Sequence, residues 1–165
     1  MASIRVSIDG DTEKLLAKLN GIAGLDKAEV NNALAEALRT GTMERFESGT
    51  GPNGRAWPRS IRAGSGGQTL VVTATLKNSI NARASAKGAE VGTNLIYAAT
   101  HQFGASGRTI RARNKPFLKF QVGGRWIRKK QVTVNIPARP FLGISEEDRK
   151  EIESIVEEAI LEAGS

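Results

Sequence analysis

Side chains able to move a proton near neutral pH are scarce in this chain. His101 is the one histidine, and there is no cysteine. A Ser-His-Asp relay would have to run through His101, and a zinc site needs further histidines or thiolates. No acid stands near His101 to orient it, because residues 91–145 contain no Asp or Glu. His101 follows Tyr97 by one helical turn and reads as a partly buried structural histidine. Hydrolysis of nucleic acid through metal ions needs converging carboxylates. Between 48 and 144 the chain offers Glu90 alone, against sixteen Lys and Arg. The glycine-rich stretches GTGPNG (49–54) and GSGG (64–67) lack the Lys and the following helix of a phosphate-binding loop. These residues point away from an enzyme, and neither a cofactor nor a metal is expected.

The chemistry that remains is charge. The chain carries +7 overall, but residues 145–165 hold eight acids against Arg149 and Lys150, a net −6. The stretch 48–144 is +15. Such a field seeks an anion: nucleic acid, a membrane surface or an acidic protein face, the acidic C-terminus of a neighbouring copy among them. Nucleic-acid fingerprints are missing, with no zinc-ligand spacing, no basic region with heptads and only 5% aromatic residues for base stacking. No apolar run reaches the roughly 18 residues of a membrane span, and MASIRVSIDG has no signal-peptide core.

The elements that must carry these charges follow from periodicity. At 165 residues with 39% apolar content, residues 1–165 fit a single structural domain. Ile4, Val6 and Ile8 alternate as a short strand with one buried face. Asp11 can cap a helix carrying Leu15, Leu16, Leu19 and Ile22. Asp26 opens a longer helix to about Phe46, with Val30, Ala33, Leu34, Ala37 and Leu38 as its apolar stripe. Residues 48–68 are punctuated by Gly and Pro and read as a loop, with GSGG as a mobile tip. Trp57, followed by Pro58, either plugs this loop onto the core, against the helix ending near Phe46, or anchors a partner surface. Thr73 can cap a short helix with Leu76 and Ile80. Two short strands are expected at 82–87 and 89–93, then a short helix or turn over 95–104 ending at Gly104. Val132, Val134 and Ile136 mark a further strand. Pro137 and Pro140 hold 136–145 extended, with Arg139 between them and Phe141 and Leu142 buried. Ser145 caps a last helix with Asp148 at its third position and Ile152, Ile155, Val156, Ala159 and Ile160 on one face.

Residues 105–130 are the most unusual stretch, with nine basic residues and no acid. Gly123-Gly124 between FLKFQV and RWIR suggests a two-residue hairpin turn. That register sets Phe120 opposite Ile127, Val122 opposite Arg125, Gln121 opposite Trp126 and Lys119 opposite Arg128. Opposed cations weaken a ribbon, and an isolated pair of strands is marginal. A solvated basic loop in another register is the alternative. The arm is expected to dock on an adjacent subunit or ring, with Phe117, Phe120, Trp126 and Ile127 giving apolar contact and Lys119, Arg128, Lys129 and Lys130 orientation.

Four short motifs in a fixed order now become telling. They are Phe46…Pro52-x-Gly54-x-x-Trp57-Pro58, Thr73-x-x-Leu76-x-x-Ser79-Ile80, Tyr97-Ala98…His101-Gln102-Phe103-Gly104, and Pro137-Ala138-Arg139-Pro140-Phe141-Leu142-Gly143. From about residue 25 to 163 the chain resembles the tailed-phage virion morphogenesis, or tail completion, proteins of Mu-like phages and prophages. It departs from their pattern at Thr73-Ala74, where Thr-Gly is usual, which bears on a local backbone conformation. The resemblance implies an α+β fold, with long N-terminal helices and a C-terminal helix packed on a small antiparallel sheet and the basic hairpin protruding from it. It implies a non-enzymatic virion protein of the neck or upper tail. Such a subunit would belong to a homo-oligomeric ring, a hexamer favoured, in head–tail joining or tail completion around the DNA channel. It would meet neighbouring neck, connector or tail proteins and assemble in the host cytoplasm, with transient contact to packaged DNA and none to membrane. A DNA-binding accessory protein acting through 91–145 is the second reading.

Overall fold

The computed structural model describes residues 4–7, 26–60 and 63–163. The expected helix around Leu15–Ile22 and its Asp11 cap lie outside the described residues. Strand β1 is Ile4–Ser7, and helix α1 runs from Lys27 to Ser48. A 3-10 turn at Ala63–Ser65 and helix α2, Thr75–Asn78, follow. Strands β2 (Asn81–Ser85) and β3 (Gly88–Thr93) lead to helix α3 (Ala98–Phe103). Strands β4 (Ala105–Arg111), β5 (Leu118–Val122), β6 (Arg125–Lys129) and β7 (Gln131–Ile136) come next, and helix α4 (Glu146–Ala163) closes the order. The fold is α+β.

Helix α1 begins where its sequence says it should. The Asp26 carboxylate accepts from Ala28 N at 2.8 Å and Glu29 N at 3.3 Å, taking two of the orphan first-turn donors. It ends at Gly49, whose φ of 71° is the left-handed cap that glycine adopts without strain. The buried set differs from the expected stripe. Val30, Leu34 and Leu38 are buried, but Ala33 is exposed, and Asn31, Ala35, Thr42 and Arg45 are buried with them. The reason is that α1 packs against β2 and β3 as well as α4, so its covered band is wider than one apolar stripe.

The sheet has the order β1-β3-β2 and is antiparallel throughout, with Val6 opposite Val91 and Ala82 opposite the same Val91 from the other side. A two-residue turn at Ala86-Lys87 joins β2 to β3 and brings Ser85 opposite Gly88. Along β3 burial alternates, with Ala89, Val91 and Thr93 facing the core. Helix α4 opens on a reciprocal cap: Asp148 N donates to Ser145 Oγ at 3.1 Å and Ser145 N donates to Asp148 Oδ2 at 2.6 Å. Ile152 and Val156 carry it onto the core. A Cβ at Gly41 would fall on Asp148 Oδ1, so glycine there lets α1 and α4 approach at this level.

One local expectation is corrected. Thr73 does not cap α2. The residue at the cap position is Ala74, in the left-handed conformation at φ 54° with no side-chain cap bond, and the Thr73 hydroxyl pairs with that of Thr75 at 2.7 Å. Ala74 has no side-chain oxygen to accept from the first-turn amides, and its left-handed backbone sets Thr73 one residue outside the cap position. Its buried residue is Leu76, and Ile80 is buried just after it.

Candidate functional site

Three of the four sequence motifs converge on one extended segment, residues 137–143. Phe46, at the end of α1, is fully buried and meets Trp57 edge-on at 5.5 Å and Phe141 at 5.3 Å. Trp57 is itself buried, and its indole Nε1 donates to Pro140 O at 2.8 Å. Pro58 is exposed, but its carbonyl accepts from Arg139 Nε at 2.7 Å. The loop and the connector are thus stitched together by one indole and one guanidinium.

From the other side the connector is held by α3. His101 O accepts from Arg139 N at 2.7 Å. The Gln102 amide satisfies both polarities of the adjoining backbone. Its Oε1 accepts from Phe141 N and Leu142 N, each at 3.0 Å, and its Nε2 donates to Leu142 O at 2.8 Å. Prolines at 137 and 140 keep this stretch out of helix and strand ladders, so its amides must find side-chain partners, and Gln102 supplies them. Arg45 completes the cage from α1. Its Nη1 donates to Phe141 O at 3.3 Å and Gly143 O at 3.1 Å, and its Nη2 forms a buried ion pair with Asp148. Gln102 stood in one of the four motifs without this role, while Arg45 and Gly41 were missed, since nothing in the spacing of those two distinguishes them from solvated helix residues. The remaining motif, around Leu76 and Ile80, joins the same hydrophobic core as Phe141 and Leu142.

This junction is the root of the basic stretch. Gly104 ends α3 with φ 76°, and a Cβ there would come within 2.8 Å of Ala138 N and 2.9 Å of Ile136 O. The strand leaving α3 and the strand entering the connector therefore touch backbone to backbone, with Ala105 opposite Ile136. Strand β4, which the sequence left inside a basic arm, pairs antiparallel with β7 through Arg108–Val134 to Arg111–Gln131. The ladder slips between Ala105 and Arg108, where Gly107 N donates to Asn135 Oδ1 at 2.7 Å. Beyond Arg111, β5 and β6 pair in the register that the Gly-Gly turn implies, Phe120 with Ile127 and Lys119 with Arg128. The two ribbons enclose a cleft of about 1120 Å³ that includes Ile110, Phe120, Ile127 and Val132 in its lining. Trp126 is 64% exposed, with Lys119 Nζ 4.5 Å from its ring centroid, a cation–π contact. Phe117 is 44% exposed, while Arg128, Lys129 and Lys130 all face solvent.

His101 sits at the root, its ring edge-on to Tyr97 at 6.0 Å. Burial, then the positive charges of Arg139 and Arg108, hold its pKa below the usual histidine value. Among the described residues its buried Nδ1 has no hydrogen-bond partner, and none of the carboxylates there orients the ring. Among the described residues no group of three His, Asp or Glu is placed to hold a metal ion. No helix among them is long and apolar enough to cross a membrane.

Fold and junction together describe an α+β protein whose most distinctive residues hold the two ends of a basic β ribbon in place. Residues 9–161 match the phage virion morphogenesis family, and the chain belongs to that family. It is similar to Mu-like prophage FluMu G protein 2 of Haemophilus influenzae, 33% identical over 127 residues that cover 76% of this chain and 72% of that protein. No solved structure matches the chain. Family membership gives the protein a part in building the phage virion.

Proposed function

We propose that the chain is a ring subunit of the phage neck or upper tail, acting in head–tail joining or tail completion around the DNA channel. One observation carries this reading: two paired β ribbons, β4–β7 and β5–β6, with Phe117, Val122 and Trp126 exposed at the second. Two-stranded ribbons are marginal in water, and apolar side chains left exposed on them are available for contact with a neighbour. An arm of this kind gains its stability from a neighbour. The root fixes its direction, because Gly104 and Ala138 meet backbone to backbone and Gln102 and Arg139 lock the connector. A subunit that presents its arm at a set angle to a neighbour makes a head-to-tail contact, which forms a ring where the rotation between copies closes. A hexamer is the favoured order, with neck, connector or tail proteins above and below and the virion as its location.

Light scattering and negative-stain microscopy of the purified protein test this. Discrete rings of one size without DNA are the expected result, and a monomer at every concentration would overturn it. The acid-free stretch 91–145 favours a second reading, a DNA-binding accessory protein. Under that reading the protein stays monomeric alone and binds duplex DNA with a steep dependence on salt.

A further inference from the structure

We infer that the cleft between the two ribbons of the arm receives helix α4 of a second copy of this chain, seated by its outward face over about residues 151–161. This inference rests on the ring reading and names the contact that would hold the ring together.

The cleft has an apolar floor and a cationic edge. Ile110, Leu118, Phe120, Ile127, Val132 and Val134 form the floor, and Lys119 and Lys129 also line it. Arg128 stands directly opposite Lys119 in the ladder. Among the described residues no cation of the arm forms an ion pair, since the four pairs present are Arg39–Glu36, Arg45–Asp148, Lys77–Glu47 and Arg149–Glu146. The arm therefore carries its repulsion unrelieved.

Helix α4 is the complement in shape and charge. At 100° per residue, Ser154 and Leu161 lie along the centre line of the exposed face. Glu151, Glu158 and Glu162 flank that line on one side, and Glu157 and Glu153 on the other, all exposed. Leu161 is 73% exposed. A small and an apolar residue down the middle, with acids on both flanks, suit an apolar floor with a cationic rim. None of these five glutamates forms an ion pair among the described residues, and the last turn of the helix has no basic residue. Acids at that end oppose the helix dipole, a cost that cations from outside relieve. The stretch 151–161 is three turns long. Because the arm of one copy takes the helix of the next, the contact is head-to-tail and can close a ring.

Charge reversal tests the pairing without disturbing the core, since all the residues changed are exposed. An arm variant carries Lys119→Glu and Lys129→Glu, the two cations that line the cleft, and a helix variant carries Glu151→Lys and Glu157→Lys. Circular dichroism verifies that both fold. Each alone should raise the concentration for half-assembly by about tenfold, since reversal turns two attractions into repulsions. Mixed one to one, each reversed arm meets a reversed helix and each native arm a native helix, so assembly should return. An arm variant that assembles like the wild type would overturn the contact and leave the ring reading standing. Loss in both variants without rescue on mixing would also overturn it, because the cations then answer to another anion. A wild-type chain that stays monomeric would remove the ring reading and this contact with it.

Discussion

At the scale of single residues, the decisive groups are polar and buried. Arg45 is 5% exposed and serves Asp148, two connector carbonyls and the Thr42 hydroxyl at once. Removing it leaves a buried carboxylate without a cation, so Arg45→Met should cost about 3–5 kcal/mol. Urea denaturation measures this, and a loss below about 1 kcal/mol would mean that Asp148 is reached by water. His101 gives a second prediction. Its pKa is lowered in the folded state by burial and then by Arg139 and Arg108. The unfolded chain therefore takes up the proton first as pH falls through about 6.5, and stability should decline below that point. Because His101 is the one histidine, His101→Gln should flatten the slope of the urea midpoint just below about pH 6.5. A slope unchanged by the substitution would assign it to carboxylates. Trp57 was singled out by the sequence as either a loop plug or a partner anchor, and its burial against Phe46 decides for the plug. Arg45 could not be singled out, because a lone arginine in the last turn of a helix has the same appearance whether it is solvated or caged.

At the scale of elements, what the sequence disclosed depended on local signals. The Asp26 cap located α1, the Gly-Gly pair set the β5–β6 register, and two prolines marked the connector as extended. Strand β4 escaped notice because Arg108, Ile110 and Arg111 lie on a ribbon with no fully buried face, and its partner β7 is distant in sequence. The loop from Leu70 to Ala74 holds two non-glycine residues at positive φ, 62° and 54°. Left-handed backbone costs such residues about 1–2 kcal/mol, more than the entropy lost by adding a glycine. Ala74→Gly should accordingly raise stability by about 0.5–1 kcal/mol, read as a higher melting temperature. A lower one would show that the Ala74 side chain packs favourably enough to offset the strain. Trp57→Ala tests the neighbouring loop. It removes a buried ring, its edge contact with Phe46 and its bond to Pro140, and should cost about 3–5 kcal/mol. A nearly unchanged melting temperature would make Trp57 a partner-facing residue.

At the scale of the whole molecule, the arm and the body draw on different sources of stability. The body has a core running from Val30 through Phe46 and Phe141 to Val156, and no residue of 105–136 is among its fully buried apolar side chains. The arm meets the body at a root where Gly104 and Ala138 already touch, so the chain can be closed across that gap without reaching into the core. Deleting 108–130 should therefore leave a folded monomer that no longer assembles. Salt separates the two partners that so basic an arm could serve. Raising ionic strength from about 0.05 to 0.5 M shortens the screening length from about 14 Å to about 4 Å. That weakens the orienting charges but leaves apolar contact by Phe117, Phe120, Trp126 and Ile127 in place, so half-assembly should shift by less than about tenfold. An arm built to hold DNA by six phosphates would lose about 10⁵ in affinity over the same range. Complete rings formed by the deletion variant would release the arm from assembly, and a steep salt dependence of DNA binding would then give it to nucleic acid.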